Sequence, residues 1–134
     1  MPSLMLHHVS IPTTNVERSF RFYRDIFGLQ PIPRPNFPNN GAWLGCGDRQ
    51  IHLVEHADAN FRTGDIDNND IHFAFRTDDF EGVVARLEQH GFSEHALEGD
   101  PSRIMMKRTG AAGFAQLYVL DPDRNVVEVN AAPV

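Results

Sequence analysis

The 134-residue chain contains itself twice. Leu6-His7-His8-Val9-Ser10-Ile11 matches Asp70-Ile71-His72-Phe73-Ala74-Phe75 in residue type at an offset of 72 − 8 = 64. The same offset places Thr13 on Thr77, Val16 on Phe80, Glu17 on Glu81 and Phe20 on Val84, and after a one-residue slip Gly28-Leu29 falls on Gly91-Phe92. A repeat of this length makes each half one supersecondary unit. Neither half has enough apolar residues to bury a sheet alone, so the two are expected to pair within a single domain covering 1–134. The first module spans about 1–60, the second about 70–134, and a polar, acidic linker lies at about 57–69.

Each half reads in the same order. Residues 4–12 alternate in polarity and are expected to form a strand. Thr14 and Glu17 have capping-box spacing, which starts a helix by satisfying its free amides. Val16, Phe20, Tyr23 and Phe27 recur at i, i+4, i+7 and i+11, one helical stripe, and Gly28 suits a left-handed C-cap. In the second half the strand is 71–77, the capping pair Asp78 and Glu81, the stripe Phe80, Val84 and Leu87, and the stop Gly91. Short strands follow at 30–34, 42–46 and 50–55, and at 92–95, 103–107, 115–120 and 126–130. The expected class is therefore α+β, with two paired βαβββ modules and curved mixed sheets enclosing a site.

The repeat also aligns chemistry. Ile51 and Leu53 match Val127 and Val129, so His52 takes the place of Glu128, as His8 takes that of His72. Successive strand residues face opposite ways. His52, His72 and Glu128 each sit between apolar neighbours that face the helices, and His8 falls on the same face, with His7 on the Val9 side. A lone strand histidine is ordinarily a hydrogen-bonded surface residue. Three imidazoles and one carboxylate on one face form a donor set for a divalent metal, because each offers a lone pair to a cation.

Composition narrows the rest. Twelve Lys and Arg against 18 Asp and Glu give a net charge of −6, without the basic stripe of a nucleic-acid binder. The longest apolar run is too short for a membrane span. The single cysteine, Cys46, excludes an internal disulfide and has no base near it in sequence, so cytoplasmic residence and no thiol nucleophile are expected.

These stretches, with Ser19-Phe20-Arg21-Phe22-Tyr23-Arg24-Asp25-Ile26-Phe27-Gly28-Leu29, Gly41-Ala42-Trp43-Leu44 and Asp121-Pro122-Asp123-Arg124-Asn125-Val126-Val127-Glu128-Val129, resemble the vicinal oxygen chelate superfamily over nearly the whole chain. That group includes glyoxalase I, bleomycin and fosfomycin resistance proteins, methylmalonyl-CoA epimerase and extradiol dioxygenases. The resemblance implies a divalent ion (Zn²⁺, Ni²⁺, Mn²⁺ or Fe²⁺) held by His8, His72 and Glu128, with His52 at a fourth position. It also implies a homodimer whose modules pair within one chain or between two, and a small-molecule substrate bound through adjacent oxygens. Glyoxalase-type lyase or isomerase chemistry through an enediolate, with Glu128 as general base, is the first expectation. An extradiol dioxygenase using Fe²⁺ or Mn²⁺, with His52 and Tyr118 handling protons, is the second, and a non-catalytic ligand-sequestering resistance protein the third. Two departures weigh against glutathione chemistry. Pro12 stands where glyoxalase I has an arginine, and His52 where it has a glutamate. Candidate substrate contacts are Trp43 and Phe114, each a wall or core residue, and Arg103, Lys107 and Arg108 as a clamp for an anionic group.

Overall fold

The computed structural model describes residues 1–59 and 61–134. They form two compact units, Met1–Asn60 and Phe61–Val134. The first contains β1 (His8–Thr13), α1 (Val16–Phe27), β2 (Gln30–Ile32), β3 (Gly41–Cys46) and β4 (Arg49–Glu55). The second contains β5 (His72–Arg76), α2 (Phe80–Gln89), β6 (Met105–Lys107), β7 (Gln116–Leu120) and β8 (Val126–Asn130). Each is a βαβββ module with one four-stranded mixed sheet, ordered β1-β4-β3-β2 in the first and β5-β8-β7-β6 in the second. β1 runs parallel to β4 and β5 parallel to β8, while the remaining pairs are antiparallel. The α+β class and the twofold repeat follow the sequence reading.

One face of each sheet packs its helix. In the first module Ile11, Leu44, Ile51 and Leu53 are buried with Phe22, Tyr23 and Ile26 of α1. In the second, Leu117, Val119, Val127 and Val129 are buried with Phe80, Val84 and Leu87 of α2. Burial of each such side chain contributes about 1.5–3 kcal/mol.

The stripe on α1 differs from the one read by spacing. The buried residues are Ser19, Phe22, Tyr23 and Ile26, and Val16, Phe20 and Phe27 are only half-buried. Helix α1 carries two overlapping periodic sets, and the buried one includes a serine, which an apolar pattern omits. The Ser19 hydroxyl is satisfied by Thr13 Oγ1 at 2.6 Å.

The caps lie one residue later than the capping boxes suggest. Asn15 Oδ1 accepts from the Arg18 amide at 3.0 Å and Asp79 Oδ1 from the Gly82 amide at 3.0 Å. Asn caps better than Thr14 would, and 79 − 15 = 64 keeps the cap on the repeat. Gly28 takes the left-handed conformation at φ 72°, its amide donating to Arg24 O. Replacing Asn15 with Ala should cost about 1 kcal/mol, read as a lower urea midpoint at unchanged slope.

Several strands are shorter than expected. β1 starts at His8, although the ladder reaches His7, whose carbonyl accepts from the Gln50 amide at 3.1 Å. Ile71 precedes β5 and is 80 % exposed rather than facing the helix. Around 92–95 only the bridge Ser93–Arg103 forms. The stretch expected as a linker is tied to the second module. Arg62 donates to Asp70 Oδ2 (2.5 Å) and Asn125 Oδ1 (3.1 Å), Asp65 accepts from Arg103 and from the Gly99 amide, and Ile66 is buried with Tyr118, Leu120 and Val126.

Candidate metal and substrate site

On the second sheet, register sets the site. Tyr118 on β7 is directly opposite Glu128 on β8, and Ala74 on β5 is opposite it on the other side. His72 pairs with Val126, two residues from Glu128, and therefore shares its face. Glu128 is 6 % exposed. Its Oε2 accepts from Asn130 Nδ2 at 2.7 Å and from Gln116 Nε2 at 3.5 Å. Burial raises the pKa of this carboxyl, but hydrogen bonds from Asn130, Tyr118 and Gln116, together with the neighbouring His72 ring, outweigh it and hold the group below its usual value. The carboxylate stays ionised.

Its other oxygen, Oε1, faces His72 Nε2 at 3.2 Å. The opposite ring nitrogen, Nδ1, donates to the Asp70 carbonyl at 2.8 Å. A neutral His72 then carries its lone pair on Nε2, aimed at a carboxylate oxygen. Two lone pairs facing each other are stabilised by a cation between them or by a second proton on the ring. A histidine whose far N–H is fixed to a backbone carbonyl is the usual supporting arrangement for a metal ligand. Donors at about 2.0–2.1 Å from a tetrahedral ion lie roughly 3.3 Å apart. The 3.2 Å separation fits that spacing.

Tyr118 is buried on this face. Burial first, and the Glu128 charge second, push its hydroxyl pKa up, so it stays protonated. Gln116 Nε2 donates to its oxygen at 3.3 Å, and the His72 ring stands edge-on to it at 5.6 Å.

On the first sheet, His52 on β4 pairs with Trp43 on β3 and Ser10 on β1. The Trp43 ring is stacked on His52 at 4.0 Å with planes 2° apart, and His8 stacks on the other side at 3.9 Å and 17°. His52 Nε2 donates to Gln50 Oε1 at 2.8 Å. Burial lowers the His52 pKa, and the neighbouring His8, His7 and Arg34 lower it further, which favours the neutral ring. Rings stacked face to face hold their lone pairs in nearly parallel planes. In this arrangement the His8 and His52 lone pairs do not converge on one point. His7, expected on the opposite side, shares a 2.9 Å hydrogen bond with His8 between their Nδ1 atoms. It precedes the strand, so alternation does not bind it. Among the described residues no group of three or more His, Cys, Asp and Glu side chains is gathered for a metal.

Two of the three residues expected as a cationic clamp are paired with carboxylates. Arg103 pairs with Asp65. Arg108 bridges Glu94 at 3.0 Å and Glu81 at 3.2 Å. Lys107 stands 5.8 Å from the Tyr118 ring centre, and Phe114 is half-buried in the loop before β7. Burial pushes the Cys46 thiol pKa up, which disfavours a nucleophilic thiolate. The supporting residues Gln50, Gln116 and Asn130 escaped the sequence reading. They lie two positions from His52, Tyr118 and Glu128 along the same strand face, a spacing that could have pointed to them.

The Glyoxalase/Bleomycin resistance protein/Dioxygenase superfamily model matches residues 5–129. The chain is 31% identical over 128 residues to "Glyoxylase I 4" of Arabidopsis thaliana, covering 92% of this chain and 68% of that protein. It is 28% identical over 127 residues to glutathione transferase FosA of Serratia marcescens, covering 93% and 79%. The crystal structure of lactoylglutathione lyase from Agrobacterium tumefaciens superposes with a TM-score of 0.69 at 21% identity, covering 98% of this chain and 96% of that one. No helix among the described residues is long and apolar enough to cross a membrane.

Proposed function

The chain belongs to the glyoxalase/bleomycin resistance protein/dioxygenase superfamily, and from that premise we propose that it is a divalent-metal-dependent enzyme moving a proton between adjacent carbons of a small oxygenated substrate. The reading is of lyase or isomerase type. One observation carries it, the approach of His72 Nε2 to Glu128 Oε1 at 3.2 Å while His72 Nδ1 is committed to Asp70 O. His8, His72 and Glu128 would be the metal ligands. When bound, the ion supplies Lewis acidity that stabilises negative charge on a substrate oxygen.

The chain's own groups do the rest. Asn130 and Gln116 hold Glu128 Oε2, which fixes the carboxylate plane and keeps it ionised. Glu128 takes the proton from the carbon next to a carbonyl and returns it to the neighbouring carbon, a role worth about 10²–10⁴-fold. The Tyr118 hydroxyl remains a donor beside it. Trp43 and Gln50 orient His52, a neutral imidazole able to relay a proton on the first module.

The test is solvent deuterium incorporation, followed by NMR, into a panel of 2-hydroxy-carbonyl compounds with and without glutathione. The protein is loaded in turn with Zn²⁺, Ni²⁺, Mn²⁺ and Fe²⁺. Exchange that needs both metal and Glu128 supports the reading. Oxygen uptake with catechols and Fe²⁺, without exchange, would replace it with the dioxygenase reading, in which Tyr118 and His52 serve the ring-cleavage step.

A further inference from the structure

We propose that Arg34, on the loop between β2 and β3, is an oxyanion receptor on the first module, taking a carboxylate or phosphoryl group of the substrate beside the Trp43–His52 stack. Three independent observations support it.

The first is its partners. Arg62, Arg76, Arg103 and Arg108 pair with carboxylates, and Arg124 donates to the Gly64 carbonyl. Arg34 has no carboxylate partner. Among the described residues its guanidinium donates only to the Asn39 carbonyl at 3.1 Å and to Asn39 Oδ1 at 3.2 Å, and lies 4.9 Å from the Phe37 ring centre. Its Nε is buried with no acceptor. A guanidinium has five N–H donors and cannot shed its charge. Neutral oxygens and a ring face leave this one under-compensated, and charge-assisted bonds to an oxyanion are the strong ones.

The second is the seat. A Cβ on Gly41 would lie 2.7 Å from Arg34 Nη2 and 2.5 Å from the Leu53 carbonyl. Only glycine leaves room for the cation against the strand. The missing Cβ also fixes the side of the sheet. Gly41 and Trp43 are two apart on β3 and point the same way, and Trp43 is the cross-strand partner of His52. Arg34 therefore sits on the His52 face.

The third is reach. The Phe37 ring beneath the guanidinium is 6.2 Å from the Trp43 ring, which is itself stacked on His52. The Arg34 charge acts on the His52 ring. An anion held by Arg34 would lie along an aromatic wall next to the imidazole. The inference deepens the proposed function, because it takes this sheet face as the one that meets substrate. It needs no metal, so its failure and the failure of the metal reading are separable.

Trp43 is the sole tryptophan and reports on the site. Inorganic phosphate and acetate are titrated separately into the metal-free protein at ionic strength held constant with chloride, with tryptophan fluorescence followed. A saturable change with either supports the receptor, and the better probe tells phosphoryl from carboxylate specificity. Arg34→Gln should weaken that binding at least tenfold. Arg34→Lys, which keeps the charge but loses the planar fork, should weaken it less, and it carries the test should Arg34→Gln fail to fold by circular dichroism. Arg21→Gln, paired to Glu17 on α1, should titrate like the wild type. No saturable change in the wild type, or equal binding in the wild type and both Arg34 variants, would overturn the assignment.

Discussion

Glu128→Gln should lower metal-dependent turnover at least about a hundredfold while leaving the metal-free protein as stable as the wild type or slightly more so. The two effects have opposite signs for one reason. The amide keeps the shape of the carboxylate and an oxygen that can accept from Asn130, whose Nδ2 lies 2.7 Å from Glu128 Oε2. Its new N–H₂ group then faces His72 Nε2, where the carboxylate oxygen stood at 3.2 Å. A donor meets a lone pair, and the facing lone pairs of the metal-free site are removed. What is lost is the negative charge that an ion and a migrating proton both need. A simple His⁺–carboxylate ion pair predicts the reverse, because deleting the charge would strip a partly buried pair of one partner and destabilise the fold. Thermal unfolding of the metal-free proteins and turnover of the loaded ones, measured side by side, separate these accounts.

Asp121→Ala is expected to be the most damaging change away from the site. Asp121 is buried at the turn joining β7 to β8. Its Oδ1 accepts from the Asn125 amide at 2.8 Å and the Asp123 amide at 3.0 Å, and its Oδ2 from Asn125 Nδ2 at 3.0 Å. The turn needs this scaffold because Arg124 is in the left-handed region at φ 66°, a conformation a residue with a Cβ resists. Removing the carboxylate strands buried donors, each costing about 1–3 kcal/mol. A total loss of roughly 2–4 kcal/mol would lower the melting temperature by about 5–15 °C. Asp121→Asn retains one acceptor and should lose less. Because the turn sets the register of Tyr118 against Glu128, both variants should also lower activity in proportion to the folded fraction.

Backbone-level features were readable from the chain, and side-chain partnerships were not. The offset of 64 located both modules, capping-box spacing brought each helix start to within one residue, and strand alternation put Glu128 and His72 on one face, because those properties depend on backbone period and residue type. Ser19 escaped because a buried hydroxyl answered by Thr13 has no hydrophobic signature. Arg103 and Arg108 looked available in sequence, but Asp65, Glu81 and Glu94 reach them only after the chain folds. Arg34 went unnoticed in the sequence for the converse reason, since neither the notch at Gly41 nor the lack of a carboxylate partner is visible before the sheet forms. The stacking of His52 between Trp43 and His8 is likewise a matter of rotamers.

The central proposal is that His8, His72 and Glu128 are metal ligands. Metal analysis of untagged protein, paired with calorimetric titration of Zn²⁺ into wild type, His8→Ala and His72→Ala, tests it most directly. The account predicts one ion per chain in the wild type and its loss in both variants. Full retention of the ion by either variant, with the fold intact, would contradict it.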